Sequence, residues 1–378
     1  MSHTDTARRR GADAMAPDAL TPVSATVTVV VPTYNEADNL PELVRRICGS
    51  LPDVEVLVID DASKDGTAAA VRRLSAEWPV RVVERLDERG LATAVLRGFK
   101  EARTEVCVVM DADLSHPPES IPGLVRAVLE GADVAVGSRY VRGGDIENWP
   151  FRRRMTSWIG TLLARPLTPI RDPMAGFFGL RRGLLEGVEL KPKGFKILLE
   201  ILARTGTKKV VEIPIRFEDR AAGATKFSSE QRKEFLQQVG ILYRDLNAWP
   251  LRLLKFLCTG ALGILPNLAI LNLLLRGVGT GQDAAVASAW FGAMTFNYVL
   301  NREWTFRAGE IPVISSYVKY ALGALGGLGV QLAVMHALPK LHYNLSALLG
   351  IAAGTIVNYL VSQLWAFAKR PSVAASRD

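Results

Sequence analysis

From position 26 onward, short apolar runs alternate with longer segments of helical period. VTVVV (27–31), VEVLVID (54–60), VRVVE (80–84), VCVVMD (106–111) and DVAVGS (133–138) are rich in Val and bounded by turn residues. Runs apolar at every position, rather than at alternate ones, predict strands buried on both faces, as parallel sheets require. Helical patterns over 39–48, 66–77, 91–102 and 118–130 separate them. This βαβα alternation predicts an α/β domain with an open sheet and helices on both faces. Ligands of such sheets bind beyond the carboxyl ends of the strands, so the residues just after each run carry the candidate chemistry.

Past position 250 the pattern changes to four long apolar stretches, 253–275, 284–300, 313–338 and 345–368. At roughly 1.5 Å per residue, and allowing for tilt in the shorter second one, each is expected to cross a hydrocarbon core of about 30 Å. Segment 194–206 is apolar but too short to span. EQRKEFLQQVGILYRDL (230–246) places Phe235, Leu236, Val239, Leu242 and Leu246 at helical spacing. That pattern fits either an interfacial helix or one packed on the soluble core. The expected organisation is a disordered lead-in (1–25) that is neither signal peptide nor anchor, a catalytic domain (26–229), an amphipathic linker (230–249), a four-helix transmembrane domain (250–370) and a tail (371–378).

Composition sharpens this division. The chain has 378 residues, 49% of them hydrophobic and 22% charged, and a net charge of +8, which excludes a disordered tail protein. Residues 1–249 hold 36 Lys/Arg against 34 Asp/Glu, and residues 250–378 hold 10 against 4, so the basic excess belongs to the second part. It flanks apolar runs, which fits a membrane surface, and no basic stripe with interleaved aromatics indicates nucleic acid. Arg244, Arg252, Lys255, Arg302, Arg307, Lys319, Lys369, Arg370 and Arg377 outnumber Arg276 and Lys340 across the spans. The predicted topology therefore puts the first domain and the carboxyl tail in the cytoplasm. Three widely spaced cysteines predict neither a zinc site nor a disulfide framework.

Three strand ends carry the candidate chemistry. The first reads VPTYNE: Pro32 stops the strand, Tyr34 suits stacking on or hydrogen bonding to a base, and Glu36 suits a base or ribose hydroxyl. In the second, IDDASKDGT, Asp61 is the candidate acceptor for a uracil or guanine ring or a ribose, while Asp65 reads as a helix cap. In the third, MDADLSHPPES, Asp111 and Asp113 flank one small residue, an arrangement that suits one hard divalent cation, Mg²⁺ or Mn²⁺, bridging to substrate phosphates. One intervening residue sets the two acids too close to flank a sugar from opposite sides. Basic candidates follow in GSRY (Arg139), FRRRMTS (Arg153 for an acceptor phosphate) and FEDRAAGATKFS (Arg220, Lys226), where Gly223 suits either a closing loop or a surface hairpin. His116, ahead of two prolines, reads as a turn residue.

These phrases, with RGLATAVLRGF, DPMAGFFGLRR and GFKILLEIL, resemble a family 2 glycosyltransferase and, more narrowly, the polyprenyl-phosphate (dolichol-phosphate) mannose synthases. NYVLNREWTF and NYLVSQLWAF resemble the GtrA-like four-helix module. The resemblance implies a Rossmann-like GT-A fold and metal-dependent, inverting transfer of mannose from GDP-mannose to a polyprenyl or dolichyl phosphate lipid. Carried over, it places Pro32, Tyr34, Glu36, Ile59 and Asp61 on the nucleotide, and Asp111, Ala112, Asp113 and Ser115 around metal and diphosphate. Arg139, Lys196, Arg220 and Lys226 fall on phosphates or sugar, with Asp113, Arg139 and Arg220 central to the reaction. Ser115 stands where the family usually has Gln, which puts metal preference in doubt. A UDP-glucose-dependent polyprenyl-phosphate glucosyltransferase is the alternative enzyme, and a non-catalytic lipid-binding or translocating protein the alternative of another class. A processive polysaccharide synthase is disfavoured because no Arg-Trp pair occurs.

Overall fold

The computed structural model describes residues 27–146, 151–191, 194, 196–217, 229–338 and 341–368. They divide into two compact units. Among the described residues the first comprises those within 27–157, 170–201 and 207–217, and the second those within 158–169, 202–206 and 229–368.

The five expected strands of the first unit form: β1 (Val27–Thr33), β2 (Val54–Asp60), β3 (Val80–Glu84), β4 (Val106–Val109) and β5 (Val134–Ser138). Short β6 (Asp145–Ile146), β7 (Phe178–Arg181), β8 (Val210–Pro214) and β9 (Arg216–Phe217) join them. Seven strands make one sheet in the order β3-β2-β1-β4-β7-β5-β8. β7 runs antiparallel to both β4 and β5, so the sheet is mixed and β5 does not pair with β4. The expected parallel order holds on one side, where β1 pairs in register with β2 (Val27 opposite Val54) and with β4 (Val27 opposite Val106).

Helices α1 (Leu40–Ser50), α2 (Thr67–Leu74), α3 (Leu91–Glu101) and α4 (Ile121–Leu129) cover the sheet. Pro41 near the start of α1 leaves no orphan N–H where none can be bonded, and Glu42 in the first turn complements the helix dipole. Its buried face, Leu40, Leu43, Val44 and Ile47, meets the fully buried valines of β1 and β2. Each such side chain contributes about 1.5–3 kcal/mol by leaving water.

The described helices that follow are α5 (Phe151–Ala164), α6 (Ile197–Thr205), α7 (Ser229–Asp245), α8 (Trp249–Leu262), α9 (Ile264–Asn272), α10 (Gln282–Leu300), α11 (Val313–Ala337) and α12 (Tyr343–Val361). In α7, Phe235, Val239 and Leu242 are buried, whereas Leu236, and Leu246 just past the helix, stay exposed. Three helical stretches among the described residues are long and apolar enough to cross a membrane: Trp249–Val278, Val313–Ala337 and Asn344–Ala366. The expected second span coincides with α10, a regular helix that begins with Gln282 and Asp283 and falls outside that set. Only 11–28% of each candidate span is buried, leaving rows of Leu and Ile facing outward. Such surface is unfavourable in water and favourable in hydrocarbon.

Inside the second unit, Phe256, Met294, Tyr298, Phe306, Tyr320, Tyr359 and Phe367 form an aromatic core. Neutral hydrogen bonds cross it. Thr259 Oγ1 donates to Asn301 Oδ1 (3.0 Å), and Asn301 Nδ2 donates to the Tyr320 hydroxyl (3.1 Å). Asn272, by contrast, donates back to the Leu268 carbonyl of its own helix. Two cations counted toward topology are buried. Arg302 donates to Ser316 Oγ and the Gly309 carbonyl, and Lys255 to Asn247 Oδ1 and the Trp304 carbonyl. α11 and α12 approach so closely that a Cβ on Gly354 would lie 2.5 Å from the Gly327 carbonyl oxygen, the small-residue packing that membrane helices use.

Candidate functional site

The site assembles at the carboxyl ends of β1, β2, β4 and β5, where parallel strands leave their last side chains beyond the sheet. At β1 and β2 the turns interlock. Asn35, with φ +58°, receives the Lys64 N–H at its Oδ1 and donates its own N–H to Ser63 Oγ. Asp60 is consumed locally, accepting from Thr33 Oγ1, Ser63 Oγ and Ser63 N–H. Asp65, expected as a helix cap, precedes the cap position, which Gly66 occupies; its carboxylate accepts from Thr67 N–H at the start of α2 and from Ala37 N–H. Burial would raise its carboxyl, but these bonds, led by that from the Thr67 hydroxyl (2.6 Å), outweigh it and hold the carboxyl below the usual range.

Two residues expected at the nucleotide stand differently. Tyr34 is half exposed, with the Arg89 guanidinium 5.4 Å from its ring centroid. Asp61 is nearly buried, its Oδ2 accepting from Gly90 N–H (2.8 Å) and its Oδ1 lying 3.1 Å from Arg85 Nε. Burial is the leading influence and raises its carboxyl above the usual range, against the pull of that N–H and of Arg85. Glu36 accepts from Asn39 Nδ2 (2.7 Å). Pro32 and Ile59 lie opposite one another in the strands. Ile59 is fully buried, so it floors the turn and exposes no surface to a ligand.

At the end of β4, Asp111 and Asp113 are half-buried and Ala112 is buried between them. Leu114, with φ +60°, reverses the chain so that Ser115 turns back on Asp113. Ser115 is buried, and both its hydroxyl (2.5 Å) and its N–H (3.1 Å) donate to Asp113 Oδ1. Ser115, expected as a metal ligand, here braces the carboxylate. His116 is buried, and its Nδ1 accepts the Asp111 N–H (3.2 Å). Its ring stacks on Phe177 at 5.3 Å and meets the edge of Phe217 at 5.5 Å. Burial pulls its pKa below the ordinary value, against the carboxylates of Asp111 and Asp113. A neutral ring accepting at Nδ1 is the form this bond requires. Two exposed carboxylate edges beside a hydroxyl are hard oxygen donors, a set that fits Mg²⁺ or Mn²⁺ when substrate phosphates and water complete the shell. No group of three or more His, Cys, Asp or Glu among the described residues offers an all-protein cage.

Arg139, after β5, donates through Nε and Nη2 to Asp172 (both 2.8 Å), and its N–H also reaches Asp172 Oδ2 (3.1 Å). Burial alone would depress the guanidinium, but Asp172 outweighs it and holds Arg139 above its usual range. Asp172 is fully buried, and its own N–H and that of Arg171 donate to Glu212. The segment after Asp172 then folds along β4. The Met174 carbonyl accepts from Lys196 Nζ (2.9 Å), and a Cβ on Gly176 would sit 3.2 Å from Asp111 Oδ2. Thus Asp111, Asp113, Ser115, Arg139 and Lys196 converge, together with Asp172 and His116, which strand-end reading did not place there. Asp172 had a signal in DPMAGFF, an acid-proline start to a Gly-containing apolar run. Arg220 and Lys226 lie outside the described residues, as does the side chain of Arg153 on α5.

A mixed sheet with paired acids beyond β4 and cations beside them is the arrangement of a nucleotide-sugar glycosyltransferase domain. Residues 28–188 match Glycosyl transferase family 2, and residues 255–367 match the GtrA/DPMS transmembrane domain. The chain is 42% identical over 351 residues to a dolichol-phosphate mannosyltransferase of Pyrococcus furiosus, covering 89% of this chain and 98% of that protein. It is 40% identical over 223 residues to the polyprenol monophosphomannose synthase of Mycolicibacterium smegmatis (56% of this chain, 84% of that protein). It is 39% identical over 213 residues to the undecaprenyl-phosphate mannosyltransferase of Micrococcus luteus (53% and 87%). The chain belongs to the dolichol-phosphate mannosyltransferase family of family 2 glycosyltransferases, in the form that carries a GtrA/DPMS transmembrane domain.

Proposed function

We propose that this protein transfers mannose from GDP-mannose to a polyprenyl phosphate at the cytoplasmic face of a membrane, with inversion at the anomeric carbon, releasing GDP. The observation that carries the reading is the acidic strand end, Asp111 and Asp113, braced by Ser115 and His116 and faced by Arg139 and Lys196. The mannosyl group is common to the names of the three relatives, whereas the lipid varies from dolichol to polyprenol to undecaprenol.

A phosphate monoester acceptor is already anionic at neutral pH, so attack on the sugar needs no general base. The chemical demand is on positioning and on charge. Asp111 and Asp113 would hold Mg²⁺ or Mn²⁺, which when bound offsets the charge growing on the diphosphate leaving group. Lys196, a mobile point charge, suits the phosphates. Arg139, locked on Asp172, supplies a fixed positive charge that suits the substrate phosphates. Arg220, Lys226 and Arg153 complete the basic set in this reading, with Arg153 on the acceptor phosphate. In this reading α10 is the second of four spans, and the cations flanking the spans favour the cytoplasmic side for the first unit and the carboxyl tail.

Purified protein with Mn²⁺ or Mg²⁺ and a polyprenyl phosphate should form a mannolipid from GDP-mannose. Product from UDP-glucose and none from GDP-mannose would overturn the donor assignment. No product from either would favour a lipid-binding protein without catalysis.

A further inference from the structure

The phrase RGLATAVLRGF has no role in the chemistry above, yet its first residues touch two of the side chains assigned to the nucleotide, Asp61 and Tyr34. β3 ends at Glu84, and the chain then runs from Arg85 to Gly90 before α3 begins. Arg85 leaves the strand with its N–H donated to the Asp60 carbonyl (2.8 Å), and its side chain is only 5% exposed. The guanidinium donates from Nη2 to Thr93 Oγ1 (2.9 Å) in the first turn of α3, while Nε lies 3.1 Å from Asp61 Oδ1. That contact is an ion pair without an aligned hydrogen bond, so it balances the charge of Asp61 and leaves the acceptor capacity of Oδ1 uncommitted. At the far end of the segment, Gly90 N–H donates to Asp61 Oδ2. Gly90 has φ +130°, a conformation that side-chain-bearing residues avoid, so glycine is what lets this amide face the carboxylate. Between them Arg89 stands over the Tyr34 ring.

A nearly buried carboxylate with one charge partner and one amide donor is charge-balanced and held in a single orientation, as a recognition group for ring N–H donors must be. A structural ion pair has no need of a second anchor from the same short segment on the neighbouring aromatic. We propose that the segment from Arg85 to Gly90 is the positioning element of the nucleotide pocket, with Arg85 and the Gly90 amide setting the Asp61 carboxylate and Arg89 setting the Tyr34 ring. The inference rests on the reading that Asp61 and Tyr34 face the nucleotide.

The test is GDP affinity and steady-state kinetics of the full-length protein in detergent, for Arg85→Met, Arg85→Lys, Gly90→Ala and Asp61→Asn. Arg85→Met should weaken GDP binding and raise the KM for GDP-mannose by about tenfold or more while kcat moves far less, because a charge-assisted contact is lost from binding alone. Arg85→Lys should recover part of that loss, and Gly90→Ala should lower affinity through its backbone. The charged groups acting on Asp61 are Asp60, Arg85 and Arg89. GDP requires the carboxylate form, so affinity falls as pH drops through the Asp61 pKa; removing Arg85 should move that acid limb to higher pH. A general loss of folding lowers the melting temperature and active fraction but does not shift the limb. Unchanged GDP affinity and acid limb in Arg85→Met, with affinity lost in Asp61→Asn, would overturn the inference and leave the nucleotide reading standing. Unchanged affinity in Asp61→Asn would overturn both.

Discussion

The two units bury polar groups for opposite reasons. In the first, buried charges gather at the carboxyl ends of strands: Asp172 is fully buried against Arg139, and Asp61 nearly so beside Arg85. In the second, the central network is neutral, Thr259 to Asn301 to Tyr320, set among aromatic rings between helices. A charge in a low-dielectric site needs a partner and in return presents a strong, fixed field to a ligand. A neutral amide or hydroxyl fixes helix register at small electrostatic cost. The same burial therefore suits ligand recognition in one unit and helix packing in the other.

The largest effect is expected where that contrast is sharpest. Asp113→Ala removes a carboxylate that Ser115 holds but the core does not need. Mannolipid formation should drop by about 10³-fold with little change in melting temperature, and wild-type turnover would remove Asp113 from the chemistry. Asp172→Asn comes next and should act on both properties. It leaves the Arg139 guanidinium buried without its counter-charge, at about 3–5 kcal/mol in thermal or denaturant unfolding, and turnover should fall with it. Asn301→Leu sharpens the comparison from the other side. Thr259 keeps its bonds to the Lys255 and Phe256 carbonyls, so the loss should be about 0.6–2 kcal/mol in detergent melting, with KM for GDP-mannose unchanged.

The smallest effect belongs to a surface pair. Arg46 donates twice to Glu119 (2.9 and 2.8 Å) and thereby holds its carboxyl below the usual range. The pair's contribution is present above the ordinary Glu pKa and is lost as pH falls through the lowered value. Glu119→Gln should cost less than about 1 kcal/mol and flatten that part of the acid limb of stability.

The legible part of the fold was the part that local pattern encodes. β1 to β5 show as Val-rich runs because both of their faces are covered, and the strand-end rule then led to Asp61, Asp111 and Asp113. β7 is four residues, FGLR, next to another apolar pair, and its antiparallel insertion between β4 and β5 leaves no periodic signature. Asp172 escaped for the same reason, since it precedes β7 rather than following a parallel strand. His116 was expected as a turn residue, and the turn was right. Its ring, however, is packed under Phe177 and Phe217, residues 61 and 101 positions away, which no spacing rule brings together. Charge counting across the spans could not register that Lys255 and Arg302 are buried in helix contacts.

By itself the sequence determined the division into an α/β domain and an apolar helical one, the acids at the strand ends and the class of ligand they suit. Hydrophobic period and strand-end chemistry are properties of neighbouring residues and survive without coordinates. The tertiary structure alone decided the strand order, the pairing of Arg139 with Asp172, the bracing of Asp113 by Ser115 and the closing of the Arg85 to Gly90 segment on Asp61. Each of these depends on how far-separated segments, or the exact path of a turn, exclude water around a charge, and burial of that kind is a property of the packed chain.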